Sequence, residues 1–222
     1  MFDPDQYLFS LAQLLKTAFN ERLVYIGLQG SYLRGEATET SDIDIMVVIR
    51  DMTVKDLDVY RRAIASLDGF EKSCGFICGQ EELQHWNPLE ICHLLHTTKD
   101  YLGSLASLVP AYTESDLLNY IKLSLGNMYH ELCHRYIHAP MEDSIAALPG
   151  TYKVVFYILQ NLHYLRSGQF IASKSDMLAA LSGRDRLVLE KSVSLKNAAG
   201  CDFDADFSLL FTWCRDTLNQ LA

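Results

Sequence analysis

No apolar run in the sequence approaches the roughly 20 consecutive residues that a membrane-spanning helix needs. Long basic blocks are missing too. Arg61-Arg62 is too short a run to suggest nucleic acid, and the formal net charge of -9 argues against a broad phosphate-binding surface. A local basic pocket for a triphosphate stays open. There is no CxxC pair and no close-spaced cysteine framework. The six cysteines, Cys74, Cys78, Cys92, Cys133, Cys201 and Cys214, are scattered through apolar segments. They read as buried free thiols in a reducing compartment. Cys74 and Cys78 could pair or hold a metal, but no second close pair supports that. Neither a Walker A motif nor a GxGxxG fingerprint is present, and no Ser-His-Asp set can be read from chain order. Repeats and low-complexity tracts are lacking. The start Met1-Phe2-Asp3-Pro4-Asp5 has no basic region leading into an apolar one, so no signal peptide is expected and a cytoplasmic location is.

What is present suits an ordered globular chain. Of 222 residues, 49% are hydrophobic, enough for one large domain or two small ones. Asp3-Pro4 predicts a helix start, with Leu8, Leu11, Leu15 and Phe19 on one face. Residues 23–28 predict a strand that ends in a tight loop at Gln29-Gly30-Ser31. Residues 43–49 predict a second strand and residues 73–78 a third, with helical spacing over 54–67 between them. Residues 89–95 fit strand or helix. After Gly103 the pattern turns helical: 117–137, closed by Ala139-Pro140; 152–165, ended by Ser167-Gly168; then 177–181, 187–193 and 207–221. The expected fold class is α+β, with a mixed-sheet half over residues 1–108 and a helical bundle over 109–222.

The chemistry concentrates between Gly27 and Ile45. A strand delivers Gly30-Ser31, where glycine lets the backbone approach a ligand and the following amides can face a phosphate. Asp42 and Asp44 then sit two apart on the second strand. A strand repeats every two residues, so both carboxylates point to one face while Ile43 and Ile45 point to the core. Paired carboxylates repel unless a cation lies between them, and Mg²⁺, which takes carboxylate and phosphate oxygens together, suits the arrangement. One or two such ions can clamp an in-line displacement at phosphorus. A bare Asp-x-Asp is more often an ordinary solvent-facing pair; the upstream Gly-Ser turn changes that balance.

The combination of Gly30, Ser31, Asp42 and Asp44 resembles the signature of polymerase-β-type nucleotidyltransferases. Arg34, Gly35 and Ser41 look like the bacterial branch that modifies aminoglycosides and lincosamides. Residues 86–103 resemble the segment closing that catalytic domain. The helical half, with Lys153 and Lys174, resembles the family's C-terminal bundle. The resemblance implies an enzyme that moves a nucleoside monophosphate, with AMP from Mg-ATP the usual case, onto a hydroxyl of a small acceptor such as an antibiotic. It implies nucleotide contacts from Gly30, Ser31, Arg34, Ser41, Lys153 and Lys174, and metal ligation by Asp42 and Asp44. The implied partners are an NTP and a small molecule, with no membrane and no nucleic acid; the oligomeric state stays open, a homodimer included.

One departure stands out. The family places a third carboxylate on a later strand, flanked by hydrophobics. The third expected strand here carries no acid. Glu90, between Leu89 and Ile91, has the local pattern and is taken as the third catalytic and metal-binding carboxylate; Glu71 is the alternative, or the position is empty. Loss of that acid would fit a nucleotide-binding protein without turnover. A different enzyme reading comes from His130-Glu131-Leu132-Cys133-His134, which matches HExxH, a zinc hydrolase pattern. His138 follows too soon for the metzincin spacing, and histidines lining a helix face explain the segment more simply. His93 and His96 read as packed or surface histidines. Tyr152, Phe156, Tyr157 and Tyr164 read as core.

Overall fold

The computed structural model describes residues 2–196 and 200–221. They fall into two compact units, 1–112 and 113–222. The division lies a few residues past 108. Leu105 and Leu108 are buried in the core of the first unit, and Thr113 caps the first helix of the second.

In the first unit α1 (Pro4–Phe19) starts where the cap residues require it. The Asp3 carboxylate accepts the amides of Asp5 and Gln6, and Pro4 occupies the first turn. Strand β1 (Leu23–Leu28) follows, then the single turn α2 (Gly30–Leu33), β2 (Ile43–Ile49) and α3 (Val54–Ala65). β3 (Ser73–Gly79), α4 (Gln80–Gln84), α5 (Pro88–His96) and β4 (Lys99–Leu102) complete the unit. The sheet runs β3-β2-β1-β4; β2 pairs parallel with β3, whereas β1 pairs antiparallel with β2 and β4. It is therefore a mixed sheet, as expected.

β2 is central, and its two faces bury different partners. Ile43, Ile45, Val47 and Ile49 pack with Leu8, Leu11, Leu15 and Phe19 of α1. Met46 and Val48 pack with Tyr25, Cys78, Leu83 and Leu105 on the opposite side. Asp44 has the parity of Met46 and Val48, so it heads that second face. The carboxylate pair thus sits at one end of a strand whose remaining length is fully buried.

Residues 89–95, ambiguous in sequence, are helical. Asn87 caps the segment by accepting the Leu89 amide, and Pro88 stands in the first turn. β4 escaped prediction because Lys-Asp-Tyr-Leu is short, polar and exposed at the sheet edge.

Among the described residues the second unit is built of helices: α6 (Glu114–His138), α7 (Met141–Ser167), α8 (Lys174–Ala180), α9 (Gly183–Lys196) and α10 (Phe203–Gln220). α7 starts well before residue 152. Pro149 and Gly150 suggest a break, yet the helix runs through them, with Ser144, Leu148, Thr151 and Tyr152 all buried. Packing overrides the local propensity there. Among the described residues no helix is long and apolar enough to cross a membrane.

Candidate active site

β1 leads straight into the Gly-Ser turn. The Gln29 amide donates to the Asp44 carbonyl at 2.8 Å, which fastens the turn to the start of β2. Gly30 has φ +68°, in the left-handed region. It also lies against Asp44: a Cβ on Gly30 would come within 1.8 Å of Asp44 Oδ2. Glycine is demanded twice, by the backbone and by the carboxylate. Ser31 lies in the first turn of α2, and its carbonyl accepts the Glu36 amide at 2.9 Å.

Asp42 immediately precedes β2 and is exposed; Asp44 is half-buried. Burial is the main force raising the Asp44 pKa, and the Asp42 charge adds to it. Cys74 and Arg34 pull the other way. The parallel register places Cys74 opposite Asp44. The Cys74 thiol is itself pushed up, by burial first and then by the charge of Asp44.

Arg34 Nε donates to Glu36 Oε2 at 3.0 Å in a largely buried ion pair. His93 of α5 is kept neutral, its pKa lowered to about 4 by burial, then by His96 and Arg34. Arg34 therefore senses both Asp44 and His93. The loop from Gly35 to Ser41 closes on itself: Ser41 Oγ accepts the Thr38 amide at 2.9 Å. Lys72 holds it from outside, donating to the carbonyls of Glu39 and Ser41. Glu39 and Lys72, with Phe2, Tyr32, Ala37 and Thr38, wall a cavity of 520 Å³, a size suited to a small molecule.

The paired carboxylates suit a divalent cation. The Asp42 charge raises the cost of ionising Asp44, and the lack of a side chain on Gly30 makes room for Asp44 Oδ2. Gly30, Ser31, Arg34, Asp42 and Asp44 are brought together. Ser41 is engaged in its own loop.

Glu90 does not have the setting expected of it. It lies on α5 rather than on a strand, because Asn87 and Pro88 start a helix there. It is exposed, and its Oε2 accepts the Trp86 indole N–H at 2.5 Å. Among the described residues no three His, Cys, Asp or Glu side chains gather to hold a metal, so Glu90 does not join Asp42 and Asp44 in a triad. Glu71 is exposed in the 3₁₀ turn before β3. Lys153 is exposed on α7, and Lys174 opens α8 with its ammonium over the Phe156 ring at 5.3 Å.

The HExxH segment also lacks a hydrolase's setting. Glu131 is half-exposed and accepts Arg135 Nε at 2.9 Å, and no third ligand joins the histidines among the described residues. Cys74 and His93 are the neighbours that sequence reasoning missed. Cys74 shows itself only through the register of two parallel strands.

Set beside known families, residues 11–84 match the model of the nucleotidyltransferase domain. This chain carries a nucleotidyltransferase domain. The matched segment contains Gly30, Ser31, Arg34, Asp42, Asp44 and Cys74 and stops before Glu90. The enzyme class expected from the sequence, a nucleotidyltransferase, is the one this match gives. No curated protein matches the sequence. Among solved structures, the chain is similar to a spectinomycin adenyltransferase from Enterococcus faecialis, solved with ATP and spectinomycin. The TM-score is 0.59 at 14% identity, over 98% of this chain and 100% of that one. That likeness is one of fold, a nucleotidyltransferase domain followed by C-terminal helices.

Proposed function

We propose that this nucleotidyltransferase uses Mg²⁺ to transfer AMP from ATP to a hydroxyl of a small-molecule acceptor, an aminoglycoside-like antibiotic being the leading class. The observation that carries the reading is the contact of the Gly30 turn with Asp44, two residues from Asp42. It sets phosphate-facing amides against a carboxylate pair in one continuous piece of structure. The similar fold solved with ATP and spectinomycin supports the donor and the kind of acceptor.

The chain's own residues divide the work. Asp42 and Asp44 supply hard oxygen ligands. The amides of the Gly30-Ser31 turn and the Ser31 hydroxyl hold the terminal phosphates, and Arg34 adds positive charge beside Asp44. A bound Mg²⁺ would supply charge neutralisation at the phosphates. The acceptor oxygen forms a bond to the α-phosphorus as the bond to the bridging oxygen breaks. Pyrophosphate leaves, and the acceptor's proton passes to solvent or a base.

A second reading has a specific observation behind it. Cys74 stands opposite Asp44, and β3, a later strand of the kind expected to carry a third carboxylate, has no acid. With two acids only, the chain could bind nucleotide without turning it over. Pyrophosphate release from Mg-ATP separates the two readings, measured for wild type and Asp42→Asn/Asp44→Asn with spectinomycin, other hydroxylated antibiotics and no acceptor. Acceptor-dependent release lost in the double variant supports transfer. Mg-dependent ATP binding without release under any condition supports the binder. Failure to bind ATP at all would sink both.

A further inference from the structure

The histidines of α6 have a use independent of nucleotide chemistry. The buried stripe of that helix is Leu117, Ile121, Leu125, Met128 and Leu132. His130 and His134 each lie two residues past a member of it, about half a turn round the helix. They form an opposite stripe, continued by His138, and all three are exposed. Residues at i and i+4 are neighbours on a helix surface. The rings show it: centroids lie 5.0 Å apart for His134 and His138, and 5.9 Å for His130 and His134.

Those distances can be set against a metal geometry. With nitrogens about 2.0 Å from a shared ion, two imidazole centroids in a tetrahedral or square arrangement stand roughly 5 Å apart. His134 and His138 already meet that spacing. Imidazole suits Cu²⁺, Ni²⁺ and Zn²⁺ and does not suit Mg²⁺. Glu131, the one acid inside the HExxH segment, is taken by Arg135. Among the described residues no third ligand converges, so the remaining positions fall to water.

We infer that His134 and His138 form an exposed two-imidazole site for a divalent transition metal such as Zn²⁺, Ni²⁺ or Cu²⁺, distinct from the carboxylate pair at Asp42 and Asp44. His130 flanks the site and is not required for it. The site binds metal without a hydrolytic role, because Glu131 is not placed as a base.

The test is calorimetric titration of Ni²⁺ and Zn²⁺ into the metal-free protein with Mg²⁺ in excess, with thermal unfolding alongside to verify the fold. Wild type, His130→Ala, His134→Ala and Asp42→Asn/Asp44→Asn are compared. Wild type, His130→Ala and the aspartate variant should bind alike, and His134→Ala should be weakened by at least about tenfold. Wild-type affinity in a folded His134→Ala protein would overturn the site. So would loss of binding in the aspartate variant, or no binding by wild type.

Discussion

Cys74 stands opposite Asp44 across the parallel β2·β3 ladder, and its thiol lowers the Asp44 pKa against burial and the Asp42 charge. A donor that favours the ionised form keeps Asp44 ready to hold a cation. Cys74→Ala removes that donor, so the Asp44 pKa should rise. The acid limb of the pH–rate profile for pyrophosphate release should then move to higher pH. Cys74→Ser retains a donor and should follow wild type. An unmoved limb in Cys74→Ala would show that the thiol does not set the charge of Asp44.

Gly30 and Gly35 make a controlled pair. Both have φ +68°, yet a Cβ at Gly30 would strike Asp44 Oδ2, and one at Gly35 meets nothing within 4 Å. Either Gly→Ala change costs about 1 kcal/mol of backbone strain. Only Gly30→Ala displaces the carboxylate or the turn, and a displacement near 1 Å costs about 100-fold in rate. Gly30→Ala should lose kcat/KM on that scale while Gly35→Ala keeps it, with similar small drops in Tm. Equal losses of activity would point to strain in the loop instead of the approach to Asp44.

Glu90→Gln should leave pyrophosphate release close to wild type, because Glu90 is exposed on α5 and occupied by the Trp86 indole. Gln keeps an acceptor for that indole, so folding is not at stake. A collapse of activity equal to that of Asp44→Asn would restore Glu90 as the third carboxylate.

The strands that carry the chemistry were legible in sequence because each repeats a simple pattern. β2 announces itself by Ile43, Ile45, Val47 and Ile49, and parity alone puts Asp44 on the other face. The Gly30 turn follows from glycine at the end of an apolar run. Glu90 misled for the same reason: apolar neighbours at 89 and 91 fit a strand, and the stronger signal was the Asn87-Pro88 helix start. Cys74 and His93 had no local signal. Their meeting with Asp44 and Arg34 depends on strand register and on where α5 packs, which are tertiary facts. Pro149-Gly150 hid the first third of α7, since packing at Leu148 and Thr151 outweighs what a short window shows.

His93 should remain neutral through mildly acid pH. Burial lowers its pKa to about 4 from an ordinary 6.5, with His96 and Arg34 adding repulsion. Between those values the unfolded chain takes up a proton that the folded chain refuses, so stability falls as pH drops from 6.5 toward 4. The imidazole resonances of His93 should not titrate above pH 5 by NMR. His93→Gln should flatten the stability slope across that interval. A His93 that titrates near 6.5 in the folded protein contradicts the neutral assignment.

Asp56 gives the opposite carboxylate behaviour at a structural position. It is buried, takes Arg22 Nη1 at 3.0 Å and Nη2 at 2.7 Å, and accepts the Thr53 amide at 2.7 Å to cap α3. The Arg22 guanidinium, first, and the Thr53 bonds hold its carboxyl well below the usual range. A depressed folded pKa means stability that is present above the ordinary value of 3.8 and lost as pH falls below it toward the folded value. Asp56→Asn keeps the shape and removes the charge. It should lower Tm at pH 7, because the charge-assisted bonds from Arg22 are lost while an oxygen remains to accept the Thr53 amide. The gap to wild type should narrow at pH 3, where the unfolded wild-type carboxyl has taken up its proton. Thermal unfolding of both proteins from pH 7 to pH 3 measures it. A gap that stays constant with pH would mean that Asp56 works through shape and hydrogen bonding rather than through its charge with Arg22.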